Sequence, residues 1–278
     1  MAQTPTPSET TDARSVLRAE GPRAALEQLK RQVRKSPGEA KLRTFLFQLF
    51  CVFGEWDRAM TQLAVAAELD PAAQEMAQAY RAAIRCEMLR ERVFAGTRTP
   101  TVFGAPEPWM SLLIEANRLL ATGKEAEAAR LRDAAFDEAP ATPGTLDGKP
   151  FEWIADADPR LGPMLEAMIE GKYFWVPFSR LARLDVEKPA DLRDQVWMPA
   201  HFTWSNQGES HGFIPTRYPG STDSGTADDD SLALSRRTEW RDSDIWAIGK
   251  GQRMLATDSD EVAIMDLRRL EIAAPPAS

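Results

Sequence analysis

Residues 40–71 read AKLRTFLFQLFCVFGEWDRAMTQLAVAAELDP, and this stretch decides the first half of the fold. Leu42, Phe45, Leu46, Leu49, Phe50 and Phe53 fall at i, i+3, i+4 and i+7, the spacing of one helical face. The stripe is broad enough to meet two neighbouring helices. Gly54 ends this helix and Glu55-Trp56-Asp57 opens the next, whose apolar side is Met60, Leu63, Ala64 and Ala67. Asp70-Pro71 closes that second helix and starts a third, since proline fits a first helical turn.

The pattern recurs outward from this pair. Ser36-Pro37 precedes Asp70-Pro71 by 34 residues, and Leu26, Leu29 and Val33 match Met60, Leu63 and Ala67 at the same offset. Gly54 to Gly123 and Pro71 to Pro140 are each 69 residues, close to two such periods. Trp109, Leu112, Leu113, Ala116 and Leu120 make the first helix of the last unit, residues 125–138 the second, and Arg92 to Pro108 an irregular insertion. A 34-residue period with a small residue at the inter-helix turn resembles the tetratricopeptide repeat, with its usual Trp, Tyr and Ala positions only partly filled. Helix pairs of this kind bury their stripes by stacking, which leaves a concave surface suited to a peptide or helix.

At Ala139–Pro150, APATPGTLDGKP, the texture changes. Six of the eight tryptophans follow it, among short Val-, Ile-, Phe-, Trp- and Tyr-rich runs separated by turn residues. Strands are expected at Phe151–Ala155, Met164–Glu170, Tyr173–Val176, Ala200–Trp204, Gly212–Pro215, Gln252–Ala256 and Val262–Glu271. A tight hairpin is expected at Gly171-Lys172 and a short helix at 189–195. The expected class is α+β, tetratricopeptide-like helical repeats followed by a mainly β domain. The expected layout is a disordered terminus (1–12), a repeat domain (13–144), a strand-rich domain (145–273) with an acidic loop at 219–231, and a tail (274–278).

Charge narrows the partners. The net charge is -8. Residues 1–144 carry 19 basic and 19 acidic side chains, and residues 145–278 carry 15 and 23, so the second part holds the whole imbalance. An acidic surface repels phosphate backbones, which argues against nucleic acid. The basic cluster Lys30, Arg31, Arg34 and Lys35 reads as a solvated helix face. No apolar run reaches membrane-spanning length, and MAQTPTPSETTDA lacks the features of a signal peptide. Cys51 and Cys86 sit in helical patterns and read as buried free thiols of a cytoplasmic protein.

Candidate chemistry is sparse. Asp156 and Asp158 with Arg160, in DADPR, fit either a carboxylate or metal pair or a turn with arginine pairing. The turn is the stronger reading. His201 and His211 lack zinc spacing, and Asp228-Asp229-Asp230 reads as solvated loop. Gly249-Lys250-Gly251 reads as a strand turn rather than a phosphate loop. No nucleophile has an activating setting. The expectation is a binding protein, not an enzyme, without metal or cofactor. Asp158-Arg160, Arg217-Tyr218 and Arg237-Thr238-Glu239-Trp240 place arginine beside aromatic or acidic side chains, as interface hot spots and buried ion pairs both do.

Six motifs occur in order: Asp156-Ala-Asp-Pro-Arg-Leu-Gly-Pro163, Gly171-Lys-Tyr-Phe-Trp-Val-Pro177, Trp197-Met-Pro-Ala200, Ile214-Pro-Thr-Arg-Tyr-Pro-Gly220, Arg237-Thr-Glu-Trp240 and Gly251-Gln-Arg253. Together they resemble the ImpE family, also called TagJ, of bacterial type VI secretion. The resemblance implies a non-enzymatic cytoplasmic adaptor that binds the N-terminal helix of the sheath subunit TssB and is linked to the ATPase ClpV. The family motifs supply the candidate binding residues Asp156, Asp158, Arg160, Tyr173, Trp175, Arg217, Tyr218, Arg237, Glu239 and Trp240. The alternatives are a metal-dependent hydrolase using Asp156 and Asp158, or a repeat scaffold of another regulatory complex.

Overall fold

The computed structural model describes residues 12–222, 230–243 and 245–274. Of the expected disordered terminus, acidic loop and tail, residues 1–11, 223–229 and 275–278 lie outside them. Helices come first: α1 (Ala13–Ala19), α2 (Pro22–Lys35), α3 (Ala40–Val52), α4 (Trp56–Leu69) and α5 (Gln74–Phe94), then the short strand β1 (Thr101–Val102), α6 (Pro108–Ala121) and α7 (Glu125–Glu138). Strands dominate the rest: β2 (Gly144–Leu146), β3 (Lys149–Phe151), β4 (Ile154–Asp156), β5 (Met164–Ile169), β6 (Lys172–Pro177), β7 (Leu181–Val186), β8 (Trp197–Trp204) and β9 (Glu209–Pro215). After α8 (Asp230–Ala233) come β10 (Thr238–Asp242), β11 (Ala247–Gly251), β12 (Met254–Thr257), β13 (Glu261–Ala263) and β14 (Arg269–Ile272). The class is α+β, helices before sheets.

The chain packs as two compact units that divide between Arg81 and Ala82, within α5, with Asp230 at the start of α8 also belonging to the first. In the first unit α3 is buried from Phe45 through Val52, because α2 and α4 both pack on it. That is why its sequence is apolar nearly all round. α2 buries Leu26, Leu29 and Val33, and α4 begins 34 residues after α2 and has the same length of 14. Gly54 adopts φ 69° at the end of α3, the left-handed geometry that glycine supplies at helix C-termini.

In the second unit a nine-stranded sheet has the order β1-β6-β5-β9-β8-β7-β14-β2-β3, beside a three-stranded sheet β13-β12-β4 and a two-stranded sheet β10-β11. The large sheet's core includes Leu165, Val176, Leu184, Phe202, Ile214 and Leu270. All six residues of β5 are buried, whereas β8 alternates buried Ala200 and Phe202 with partly exposed Pro199, His201 and Thr203. Such alternation marks a sheet with one face toward water. Elsewhere Trp246, in the turn between β10 and β11, packs with Leu119, Ala128 and Ala129 of α6 and α7. Its indole Nε1 donates to the Glu125 carbonyl at 3.2 Å.

Several expected elements shift. The β5–β6 turn is Glu170-Gly171, one residue earlier than Gly171-Lys172, because Ile169 pairs with Lys172. Both turn residues have positive φ, 50° and 74°, as a two-residue hairpin turn demands. The expected strand Phe151–Ala155 is broken at Glu152-Trp153, and Val262–Glu271 at the turn between β13 and β14. The expected helix at 189–195 is a single 3-10 turn, Leu192–Gln195. Gly249-Lys250-Gly251 is not a turn but the end of β11.

Candidate functional site

Seven of the ten candidate residues meet inside the second unit, in a cluster of charges sealed from water. DADPR leaves β4 in a turn held by its own carboxylates: the Asp158 amide donates to Asp156 Oδ1 and the Arg160 amide to Asp158 Oδ1, both at 2.9 Å. Turn and arginine pairing thus occur together. Arg160 closes on Asp158 through Nη2 at 2.6 Å, and the Gly249 amide donates to Asp158 Oδ2 at 2.9 Å. Asp156 Oδ2 takes Nε and Nη2 of Arg253 at 3.0 and 2.6 Å, and its Oδ1 takes the Tyr218 hydroxyl at 3.0 Å. Every oxygen of the carboxylate pair therefore has at least two donors. Among the described residues no group of three or more His, Cys, Asp or Glu could hold a metal.

Arg253 joins this pair to a second one. Its Nη1 lies 3.4 Å from Glu166 on β5, and Glu166 also receives Nε and Nη2 of Arg90 from α5 at 2.6 and 2.7 Å. The Tyr173 hydroxyl donates to Glu166, and Trp175 Nε1 donates to Tyr173 at 2.7 Å. Arg90 Nη2 also donates to the Arg217 carbonyl at 2.7 Å, and Arg217 Nη1 to the Ala233 carbonyl at 2.7 Å. The guanidinium of Arg160 lies over the Phe94 ring at 5.0 Å. Asp158, Glu166 and Arg253 are 0% exposed. Charges this deep persist only when paired and fully hydrogen-bonded.

Their acidities differ by neighbour. Burial pushes the Asp156 carboxyl up to about 6, with Arg253 opposing and Asp158 adding. Burial acts the same way on Glu166, but Arg90 and Arg253 together outweigh it and hold it below the usual carboxylate range. Arg253, between the two, is held above its ordinary value despite burial. Burial, then Glu166, keeps the Tyr173 hydroxyl protonated far above its ordinary pKa.

Of the remaining three candidates, Glu239 and Trp240 lie on β10 and Arg237 immediately precedes it. Arg237 and Glu239 pair at 2.6 Å with side chains 44% and 47% exposed. Trp240 is half-buried, its ring 5.6 Å from that of Tyr218. Gly249, opposite Trp240, lies so close to Tyr218 that a Cβ there would fall 2.3 Å from the ring. The ten residues are thus a buried scaffold of seven and a surface group of three at β10, bridged by Tyr218.

A third feature escaped the sequence. The open face of the large sheet forms a groove of about 1250 Å³ across β7, β8, β9 and β14. Val186, Pro199, Ala200 and Phe213 supply apolar surface, and Arg183, Asp185 and Arg269 rim it. Asp185 accepts from Arg183 at 2.9 Å and from Arg269 at 2.8 Å. His201 and His211 face each other across β8 and β9, their rings stacked at 4.5 Å and 15°. Arg90, Glu166 and Arg253 were missed as cluster members too. Glu166 carried a signal, a lone acid in the apolar run MLEAMI. Arg90 had none, because its partner is 76 residues away.

Comparison with known proteins places this architecture. The family model described as "ImpE protein" matches residues 148–271. The type VI secretion system accessory component TagJ of Pseudomonas aeruginosa is 48% identical over 259 residues, covering 93% of this chain and 90% of that protein. The crystal structure of protein VPA1032 from Vibrio parahaemolyticus matches with a TM-score of 0.86 at 25% identity, covering 96% of this chain and 99% of that one.

Proposed function

The chain belongs to the ImpE family, and on that premise we propose that it is a non-enzymatic adaptor of a bacterial type VI secretion system. In this reading it works in the cytoplasm and captures the N-terminal helix of the sheath subunit TssB. Capture biases sheath assembly or the recycling linked to ClpV. The observation that carries the reading is the near full-length identity to a type VI accessory component.

The geometry supports a binding role in two ways. The acids and arginines of the family motifs are saturated by one another, so they stiffen a scaffold instead of presenting reactive groups. The groove on the sheet has an apolar floor and charged rims, the combination that takes the apolar face of an amphipathic helix. We assign the helix to this groove. The helix pairs of the first unit, read as tetratricopeptide-like, offer a second protein-binding surface for the same assembly. Arg237, Glu239 and Trp240 are the family-motif residues within a partner's reach, and the buried seven act by holding them and the sheet in place.

Calorimetry with a synthetic N-terminal TssB segment tests the assignment. Saturable heat is expected from the full chain, with affinity falling at least tenfold in Phe213→Asp while the melting temperature holds. Absence of heat together with absence of co-elution removes TssB as the partner. Binding untouched by Phe213→Asp removes the groove.

A further inference from the structure

Among the described residues, strand β10 is bonded on one side and open on the other. Its ladder with β11 pairs Glu239 with Lys250 and Arg241 with Ile248. It is bracketed by the Gln252 amide donating to the Arg237 carbonyl at 2.8 Å and the Ser243 amide donating to the Trp246 carbonyl at 2.7 Å. Bonded and non-bonded pairs alternate in an antiparallel ladder. Glu239 and Arg241 therefore direct their main-chain groups at β11, and Thr238, Trp240 and Asp242 aim theirs away from it. The same alternation turns Gly249 and Gly251 outward on β11, and both are capped, by Asp158 Oδ2 at 2.9 Å and Ser221 Oγ at 2.8 Å. Among the described residues β10 has no such caps. Among the described residues, β11 is its one ladder neighbour, and the outward main-chain groups of Thr238 and Trp240 have no partner.

The side chains along this edge are self-complementary. Glu239 and Arg241 are both exposed and stand on one face, two residues apart, with Trp240 between them. Edges guarded against association carry charges that repel a second strand. Here the two signs are opposite. When β10 is laid antiparallel on β10 of a second copy with Trp240 facing Trp240, Glu239 meets Arg241 of that copy, and Arg241 meets its Glu239. These are the non-bonded positions, where cross-strand side chains come closest. Shifting the centre one step either way sets Glu239 against Glu239 or Arg241 against Arg241. Packing on Tyr218 holds Trp240 in place, so the edge is ordered before any partner arrives.

We propose that β10 is a homodimerisation edge, joining two copies through antiparallel β10–β10 pairing centred on Trp240, so that two hairpins become one four-stranded sheet. The contact is short, which places it among weak, reversible interfaces. Sedimentation velocity over a wide concentration range tests it with three proteins. The unaltered chain is expected to show a concentration-dependent dimer. Arg241→Glu sets like charges opposite each other twice and should raise the dissociation constant on the order of tenfold. The double variant Glu239→Arg/Arg241→Glu restores opposite signs and should regain the dimer, which also reports that the hairpin still folds. A chain that stays monomeric up to its solubility limit overturns the proposal. So does a dimer indifferent to Arg241→Glu, or one the double variant fails to recover.

Discussion

Asp156 and Glu166 share Arg253, yet respond to acid in opposite senses. Asp156 has its pKa raised to about 6 in the folded chain, so the folded state takes up a proton more readily than the unfolded one. Its contribution is complete below its ordinary pKa of about 4 and is lost as pH rises through 6. Glu166 is lowered, so its contribution is present above the ordinary glutamate pKa of about 4.3 and is lost as pH falls through its folded value. Urea titrations between pH 3 and 7 should find that Asp156→Asn lacks the component that weakens with rising pH, while Glu166→Gln lacks the one that strengthens. Parallel profiles for both variants would contradict this. Glu166→Gln should also cost about 3–5 kcal/mol at neutral pH, the usual loss when a buried pair is broken from one side. Glu239→Gln, in an exposed pair, should cost below about 1 kcal/mol. Burial pushes the Cys86 thiol up to about 12, with Glu87 adding to it. A thiol reagent at pH 8 should therefore label Cys86 only under unfolding conditions.

Elements with a strong period were legible and those made by distant pairing were not. Phe45 to Phe53 announced α3, and Asp70-Pro71 marked the end of α4, because helix signals are local. Glu170-Gly171 was located to within a residue. β7, LARLDV, escaped notice, since Arg183 and Asp185 face water beside each other and dilute the apolar pattern. β10 and β11 escaped for a different reason: TEWRD and AIGKG are short and carry no apolar alternation. What stabilises them is tertiary, namely Asp158 on Gly249, Ser221 on Gly251, and Tyr218 between Trp240 and Gly249. The motif residues were visible in the sequence, but their division into a buried seven and a surface three was not. Gly249→Ala puts a methyl group into the Tyr218 ring, an overpacking that should cost about 1–3 kcal/mol. Hydrogen exchange should then rise first at the β10 and β11 amides. An unchanged hairpin with destabilisation elsewhere would mean that Tyr218 is not what holds it.

At the scale of the whole molecule, the order helices first and sheets second could be read from the texture change at Ala139–Pro150. The packing division at Arg81/Ala82 could not, because it falls inside one continuous helix, α5, whose sequence does not change there. Charge does follow sequence. The net -8 arises entirely from residues 145–278, the part that carries the groove, so this part of the chain draws in cations and repels anions over a Debye length of about 8 Å at physiological salt. Such a field acts on encounter more than on the final contact. A helical peptide of net positive charge should associate faster at low salt, its on-rate falling several-fold between about 20 and 300 mM, with little change in its off-rate. Stopped-flow measurements with a charge-reversed peptide of the same apolar face supply the control, whose on-rate should rise over the same range. If both peptides associate at one rate independent of salt, the acidic imbalance serves solubility and plays no part in recruiting a partner.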